Sequence, residues 1–319
     1  MPNSHTTEYA HQITCIDTFY RGPEVAACYL LQSEEEAVFI DTGTSLSTPH
    51  LMTVLEAKGI QPSQVKYVIP THVHLDHAGG AGTLMQQLPE ASLVIHPYGA
   101  KHLIDPSKLS AGAAAVYGEE KFKQDFGEII PIAEERVIEA PDGFELTFGT
   151  RKLLCLDTPG HARHHICLYD ELSKGIFSGD TFGISYHKFD TPQGAFILPT
   201  TTPIQLDPEA WYTTLDRLMA LNPERIYLTH YGEVSKPGVL VQHLRQYLEA
   251  FTQIALASEA TPGKARVASL QSQLLQWLIE KLQAHGCQFA PDKIEQLMAM
   301  DLELDAQGLD VWLTRREKA

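Results

Sequence analysis

From Ile13 onward the apolar positions come in short runs broken by Gly, Pro and acidic residues. ITCIDTFY, VAACYLLQ and EEEAVFIDTG predict strands, the last two forming a hairpin across the acidic turn SEEE. STPHLMTVLEAKGI carries apolar residues at helical spacing and predicts a helix closed by Gly59. VKYVIPTHVH reads as a short buried strand, AGTLMQQLP opens a helix, and ASLVIHP is a further strand. Strands and helices alternating in this order predict an α/β layered core. Residues 98–146 are less regular, and the alanine-rich SAGAAAVYGEEKFKQDF reads as a surface helix or insertion. FELTFGTRKLLCLDTPG then predicts a hairpin ending at a Pro-Gly turn. HHICLYDELSKGIFSGD repeats the strand, turn, strand theme, and WYTTLDRLMALNPERIYLTHYG gives a helix and a strand ending in a histidine.

The texture changes near Pro237. Leu240, Leu244, Tyr247, Leu248, Phe251 and Ile254 fall at helical spacing, as do Val267, Leu270, Leu274, Trp277, Leu278 and Leu282 before a stop at Gly286. APDKIEQLMAMDLELD continues as helix. The predicted division is a flexible tail over 1–12, a catalytic domain over 13–236 and a helical C-terminal subdomain over 237–319. The apolar stripes of that subdomain need burial, against the catalytic domain or a partner subunit, and it holds no cluster of catalytic residue types.

Composition narrows the class. Hydrophobic residues make up 44% of the 319 and charged residues 20%, the balance of a soluble globular protein. No apolar run reaches the length of a membrane span and MPNSHTTEYAHQ lacks signal-peptide character, so a cytoplasmic protein is expected. The net charge of −16, with no Lys/Arg cluster, argues against nucleic acid and anionic membranes as partners. Cys15, Cys28, Cys155, Cys167 and Cys287 are widely spaced and mostly within apolar runs, so they predict buried hydrophobes and no cysteine metal site.

The dense chemistry lies in THVHLDHAGG, residues 71–80, where three histidines and an aspartate fill six positions. Strand side chains at i and i+2 share a face, so His72 and His74 are expected to point at one ion as the strand runs out. Asp76 and His77 follow on the turn, with Gly79 and Gly80 letting the backbone turn tightly. A lone histidine is usually an ordinary core or surface residue. This cluster is too dense for that reading.

His72-x-His74-x-Asp76-His77 resembles the signature of the metallo-β-lactamase superfamily. Plausible matches to the family's remaining ligands are His161 after Thr-Pro-Gly, Asp180 in FSGDTFG and His230 in YLTHYG. The resemblance implies a four-layer αββα sandwich with a dinuclear site where the strands end. It places one ion on His72, His74 and His161, the other on Asp76, His77 and His230, with Asp180 bridging both. Two divalent ions are implied, zinc first; the nitrogen and oxygen donors also suit iron or manganese. Such ions would hold a bridging hydroxide as nucleophile, with Asp76 and Asp180 in the catalytic machinery. His165 is similar to a position that orients a ligand by hydrogen bonding, and Asp41 to one that supports the metal loops. Arg163 and His164 are expected as exposed loop side chains, and His96 as a packing or capping residue.

Departures from better-defined members set the branch. Asp180 stands where class B β-lactamases commonly place cysteine, His74 where flavodiiron proteins place glutamate, and TFGISYHKFD where glyoxalase II carries a Gly-Cys-Gly-Arg type run. The chain resembles the glyoxalase II and lactonase-like branch, which implies hydrolysis of a small ester, thioester or lactone. A phosphodiesterase, an iron-dependent oxidoreductase and a ligand-binding protein with vestigial hydrolysis are the alternatives. The connection after Asp180 carries Phe182, Ile184, Tyr186, Phe189, Phe196, Ile197 and Leu198, an apolar load that must bury against the core, the C-terminal helices or a ligand. A substrate with an apolar part is therefore expected, with Tyr186 as a pocket residue whose hydroxyl reaches an oxyanion and His187 beside it. A homodimer remains open.

Overall fold

In the computed structural model, which describes residues 5–260 and 263–318, the strand-like runs assemble into two sheets. The first is β1 (Thr6–Tyr9), β2 (Ile13–Asp17), β3 (Ala27–Ser33), β4 (Glu36–Ile40), β5 (Val65–Ile69), β6 (Ser92–Ile95) and β7 (Val137–Glu139), paired in sequence order. Pairing is antiparallel as far as β4 and parallel from there to β7. The second sheet contains β8 (Glu145–Phe148), β9 (Arg151–Asp157), β10 (Ile166–Asp170), β11 (Gly175–Phe177), β12 (Arg225–Leu228) and β13 (Gly232–Ser235), in the order β13-β12-β11-β10-β9-β8.

Strand parity explains why both sheets are apolar on facing sides. Ile13, Cys15, Ala27, Tyr29, Leu31, Val38 and Ile40 meet Phe148, Leu153, Cys155, Ile166, Leu168 and Phe177 in one core between the sheets. The alternate residues Ile16, Cys28, Leu30, Ala37 and Phe39 face the other way. They pack against α1 (Thr48–Ala57), which precedes α2 (Leu75–Ala78), and against α3 (Ala81–Gln87) and α4 (Pro97–Ile104). The predicted alanine-rich helix is two helices, α5 (Ser107–Tyr117) and α6 (Glu119–Phe126), split at Gly118. Cys15, Cys28, Cys155 and Cys167 are buried as expected, Cys287 only in part. The architecture is thus the expected α/β type, two sheets flanked by helices, with helices at the C-terminus.

The chain separates into two units. Met1–Thr158, His164–Gly179 and Pro223–Ser235 form the first and hold both sheets and α1 to α6. Pro159–Arg163, Asp180–Asn222 and Lys236–Ala319 form the second. It contains α7 (Pro208–Ala220), α8 (Pro237–Ala257), α9 (Lys264–Ala284) and α10 (Pro291–Arg316). The sequence predicts a single boundary at residue 236, whereas the helical unit also takes in the connection after Asp180. The apolar load of that connection is the reason: the Phe196 ring lies 5.7 Å from Tyr247 and the Phe189 ring 6.2 Å from Phe289.

The predicted tail needs a correction too. Thr6–Tyr9 pairs with β2, and Thr14 Oγ1 donates to Glu8 at 3.0 Å. A polar strand at a sheet edge has no apolar face to reveal it. Residues 1–4 lie outside the described residues. Among the described residues no helix is long and apolar enough to cross a membrane.

Candidate metal centre

Strand ends place the candidate ligands. In the first unit β5 stops at Ile69, before Pro70, so His72 and His74 lie beyond the strand, not on its face as predicted. Proline has no N–H to continue the ladder. The imidazoles still converge: His72 Nε2 and His74 Nδ1 are 2.8 Å apart. His74 is the extended residue that starts α2, the short helix carrying Asp76 and His77. Gly80 is needed for close approach, not for its own turn, since its backbone is helical and a Cβ there would stand 2.6 Å from the Thr44 carbonyl oxygen.

Asp41, just past β4 and fully buried, ties these loops together. Its Oδ1 accepts from the Thr71 N–H at 2.7 Å and the Thr71 hydroxyl at 2.9 Å. Its Oδ2 accepts from the Thr229 hydroxyl at 2.6 Å and faces His77 Nδ1 at 2.8 Å. His230, following β12, directs Nδ1 at the Val25 carbonyl at 2.6 Å. A carboxylate or a carbonyl can only accept, so both rings carry hydrogen on Nδ1 and present the Nε2 lone pair. Asp76 Oδ2 stands 3.4 Å from His230 Nε2 and 3.9 Å from His77 Nε2. The ligand atoms of Asp76, His77 and His230 all lie within 4.8 Å of one another. Two ligands of a tetrahedral ion are about 3.3 Å apart when each bond is about 2.0 Å. The donor set and its spacing fit a divalent metal.

In the second unit His161 and Asp180 meet in the same way. His161 directs Nδ1 at the Thr200 carbonyl at 2.9 Å, and its Nε2 lies 3.4 Å from Asp180 Oδ2. Trp211 of α7 stands edge-on 6.1 Å from the His161 ring while its indole N–H donates to the Thr181 carbonyl at 2.6 Å, so one side chain contacts the His161 ring and the backbone next to Asp180.

The remaining candidates divide. His165 is buried, bonds Thr158 Oγ1 through Nδ1 at 2.8 Å and stacks 5.0 Å from His72. Gly179 leaves it room, because a Cβ there would come within 2.5 Å of His165 Nε2. His164 is buried, against expectation, and packs 5.9 Å from His74; Arg163 is exposed. His96 caps α4 by accepting from the Tyr98 N–H at 3.0 Å, and burial lowers its pKa despite nearby Asp157. His187 pairs with Asp190 at 3.1 Å at the surface. Tyr186 is buried and its hydroxyl donates to Asp301 at 3.0 Å, with the Lys188 ammonium 4.3 Å above its ring. Burial lowers the Lys188 pKa.

Sequence reasoning missed α10 as a contributor of polar chemistry. Asp301 meets Tyr186, and Asp305 accepts from the Thr201 N–H at 2.5 Å. Burial pushes the Asp305 carboxyl well above the ordinary carboxylate range. The available signal was Asp305 itself, an acid on the stripe formed by Ile294, Met298, Leu302 and Leu309.

The family model for the metallo-beta-lactamase superfamily matches residues 21–230. The metallo-beta-lactamase fold-containing protein ST1585 of Sulfurisphaera tokodaii is 29% identical over 230 residues, 71% of this chain and 80% of that protein. Its crystal structure matches with a TM-score of 0.60 at 26% identity, over 75% of this chain and 86% of that one. An N-acyl homoserine lactonase of Bacillus cereus is 28% identical over 184 residues, 50% of this chain and 64% of the lactonase. The acyl-coenzyme A thioesterase MBLAC2 of Homo sapiens is 26% identical over 192 residues, 51% of this chain and 61% of that enzyme. The chain thus spans less than two thirds of the lactonase and of the thioesterase.

Proposed function

The chain belongs to the metallo-beta-lactamase superfamily, and from that membership we propose that this hydrolase cleaves the acyl bond of a small ester, thioester or lactone. The ligands we assign are His72, His74 and His161 for one divalent ion and Asp76, His77 and His230 for a second, with Asp180 shared. The carrying observation is the Asp76, His77 and His230 group, where two imidazoles have Nδ1 committed to oxygen acceptors and Nε2 near one carboxylate oxygen. Zinc suits this donor set best, with iron or manganese as alternatives. When bound, such ions supply a hydrolytic nucleophile near neutral pH and polarise the acyl oxygen.

The chain's own residues do the rest. Asp41, the Val25 carbonyl and the Thr200 carbonyl hold His77, His230 and His161 in the tautomer that donates from Nε2. What the lactonase and the thioesterase share in their names is an acyl group, so we assign the apolar part of the substrate to an acyl chain. The test is metal analysis of the purified protein joined to a panel of chromogenic ester, lactone, thioester and phosphodiester. The expected result is acyl-ester or lactone turnover that a chelator abolishes and added zinc restores. Phosphodiester cleavage without acyl turnover would replace this reading.

Tyr186 is assigned to the oxyanion, a role that requires its hydroxyl to exchange Asp301 for the substrate. Tyr186→Phe is expected to lower kcat about tenfold or more with metal content unchanged. An unaltered kcat would leave the hydroxyl to Asp301 alone.

A further inference from the structure

The helical unit carries a hydrogen-bonded path that ends on a candidate ligand. His161 Nδ1 donates to the Thr200 carbonyl at 2.9 Å. That carbonyl belongs to the peptide whose N–H is Thr201's, and this N–H donates to Asp305 Oδ1 at 2.5 Å. The single hydrogen of the Thr201 hydroxyl has two acceptors in reach, Asp305 Oδ1 at 3.1 Å and the Asp305 carbonyl at 3.2 Å. Thr201 is fully buried, and Asp305 nearly so. One turn further along α10, Gly308 lets the helix backbone press onto the same segment: a Cβ there would stand 1.6 Å from the Thr201 carbonyl oxygen. Two residues of one helix, spaced i and i+3, thus contact the backbone of one residue, Thr201, Asp305 at its N–H and Gly308 at its carbonyl.

We infer that Asp305 is a positioning residue for His161, acting through the Thr200–Thr201 peptide. A hydrogen bond accepted from a peptide N–H draws electron density toward the carbonyl of the same unit, so the two bonds strengthen each other. A stronger acceptor at Thr200 makes the His161 ring a better donor at Nε2 and fixes its plane. The acceptor that commonly backs a ligating histidine directly is here extended one peptide further, to the Asp305 carboxyl of the C-terminal helix. This inference rests on the assignment of His161 as a metal ligand.

The experiment measures zinc affinity by chelator competition on wild type, Asp305→Ala and Asp305→Asn, with the apo melting temperature of each. Asparagine keeps a neutral acceptor of the same reach, the closest match to a carboxyl that burial holds toward its neutral form. Alanine is expected to weaken the zinc assigned to His161 about tenfold, and asparagine to stay within about threefold of wild type, with the other zinc unchanged in both. Asp305→Ser, too short to reach the Thr201 N–H, replaces alanine if that protein does not fold. A folded alanine or serine variant with wild-type affinity would overturn the inference even if its melting temperature fell, because that is the signature of helix docking alone. Equal loss in asparagine and alanine would overturn it as well. Wild type that binds no zinc would instead refute the ligand assignment.

Discussion

Asp41→Ala is expected to weaken metal uptake by the Asp76, His77 and His230 group about 10- to 100-fold and to cost about 3–5 kcal/mol of stability. Four donors converge on this one buried carboxylate, from Thr71, His77 and Thr229. Alanine leaves the Thr71 N–H and the His77 N–H buried without an acceptor, and each such orphan costs about 1–3 kcal/mol. Asp41 also has φ near 58°, a left-handed conformation that aspartate and asparagine tolerate better than alanine. Asp41→Asn separates the effects. It keeps the φ tolerance and can still accept from Thr71, but its amide NH2 would face the His77 Nδ1–H and the Thr229 hydroxyl. Metal affinity should fall nearly as far as in alanine, with less than half the stability loss. Chelator competition and chemical denaturation of the apo proteins check both. Asparagine with wild-type affinity would remove the tautomer argument for His77.

The ligand cluster was legible because its signal is local. Residues 72–77 are close in space whatever the fold, and alternation such as Ile13, Cys15 against Thr14, Ile16 identifies two-sided strands without knowledge of the partner. Information that depends on distant partners was less legible. The sequence of Asp180–Asn222 leaves its apolar load to bury against the core, the C-terminal helices or a ligand, and the choice depends on where Phe196 and Phe189 find rings to pack on. His164 read as exposed because it sits among polar loop residues, yet it is buried near His74 and His102.

Asp305 shows the limit most clearly. Acids on an amphipathic helix are normally solvated, and only the apolar stripe around position 305 marks this one as inward. Its partner, the Thr201 N–H, is a backbone group that side-chain chemistry does not reveal. Asp41 stood between these cases: the family resemblance implied support for the metal loops, but not that a single carboxylate would reach Thr71, His77 and Thr229 together.

Asp180→Ala is expected to lower turnover about a thousandfold or more and to reduce bound metal from two equivalents to one or fewer. The side chain is nearly buried, with Oδ2 3.4 Å from His161 Nε2, the spacing of two ligands on one ion. Its backbone is held from both directions. Gly179, at φ 47°, permits a turn that a Cβ would block within 2.6 Å of Thr71 Oγ1, and the Thr181 carbonyl accepts from the Trp211 indole. In the proposed assignment Asp76 and Asp180 are the two carboxylates that offset the charge of two divalent cations, and Asp180 alone is shared. Removing it takes a ligand from each ion and leaves the cations less screened from one another, so the losses should be coupled. Asp180→Asn keeps the shape but removes the charge. It should retain more metal than alanine while losing most of the turnover, because a neutral amide would be a poorer ligand than a carboxylate for two divalent cations at once. Metal content by elemental analysis, read beside kcat on the best acyl substrate, distinguishes these outcomes. Alanine protein that keeps two equivalents and its turnover would show that the shared ligand lies elsewhere.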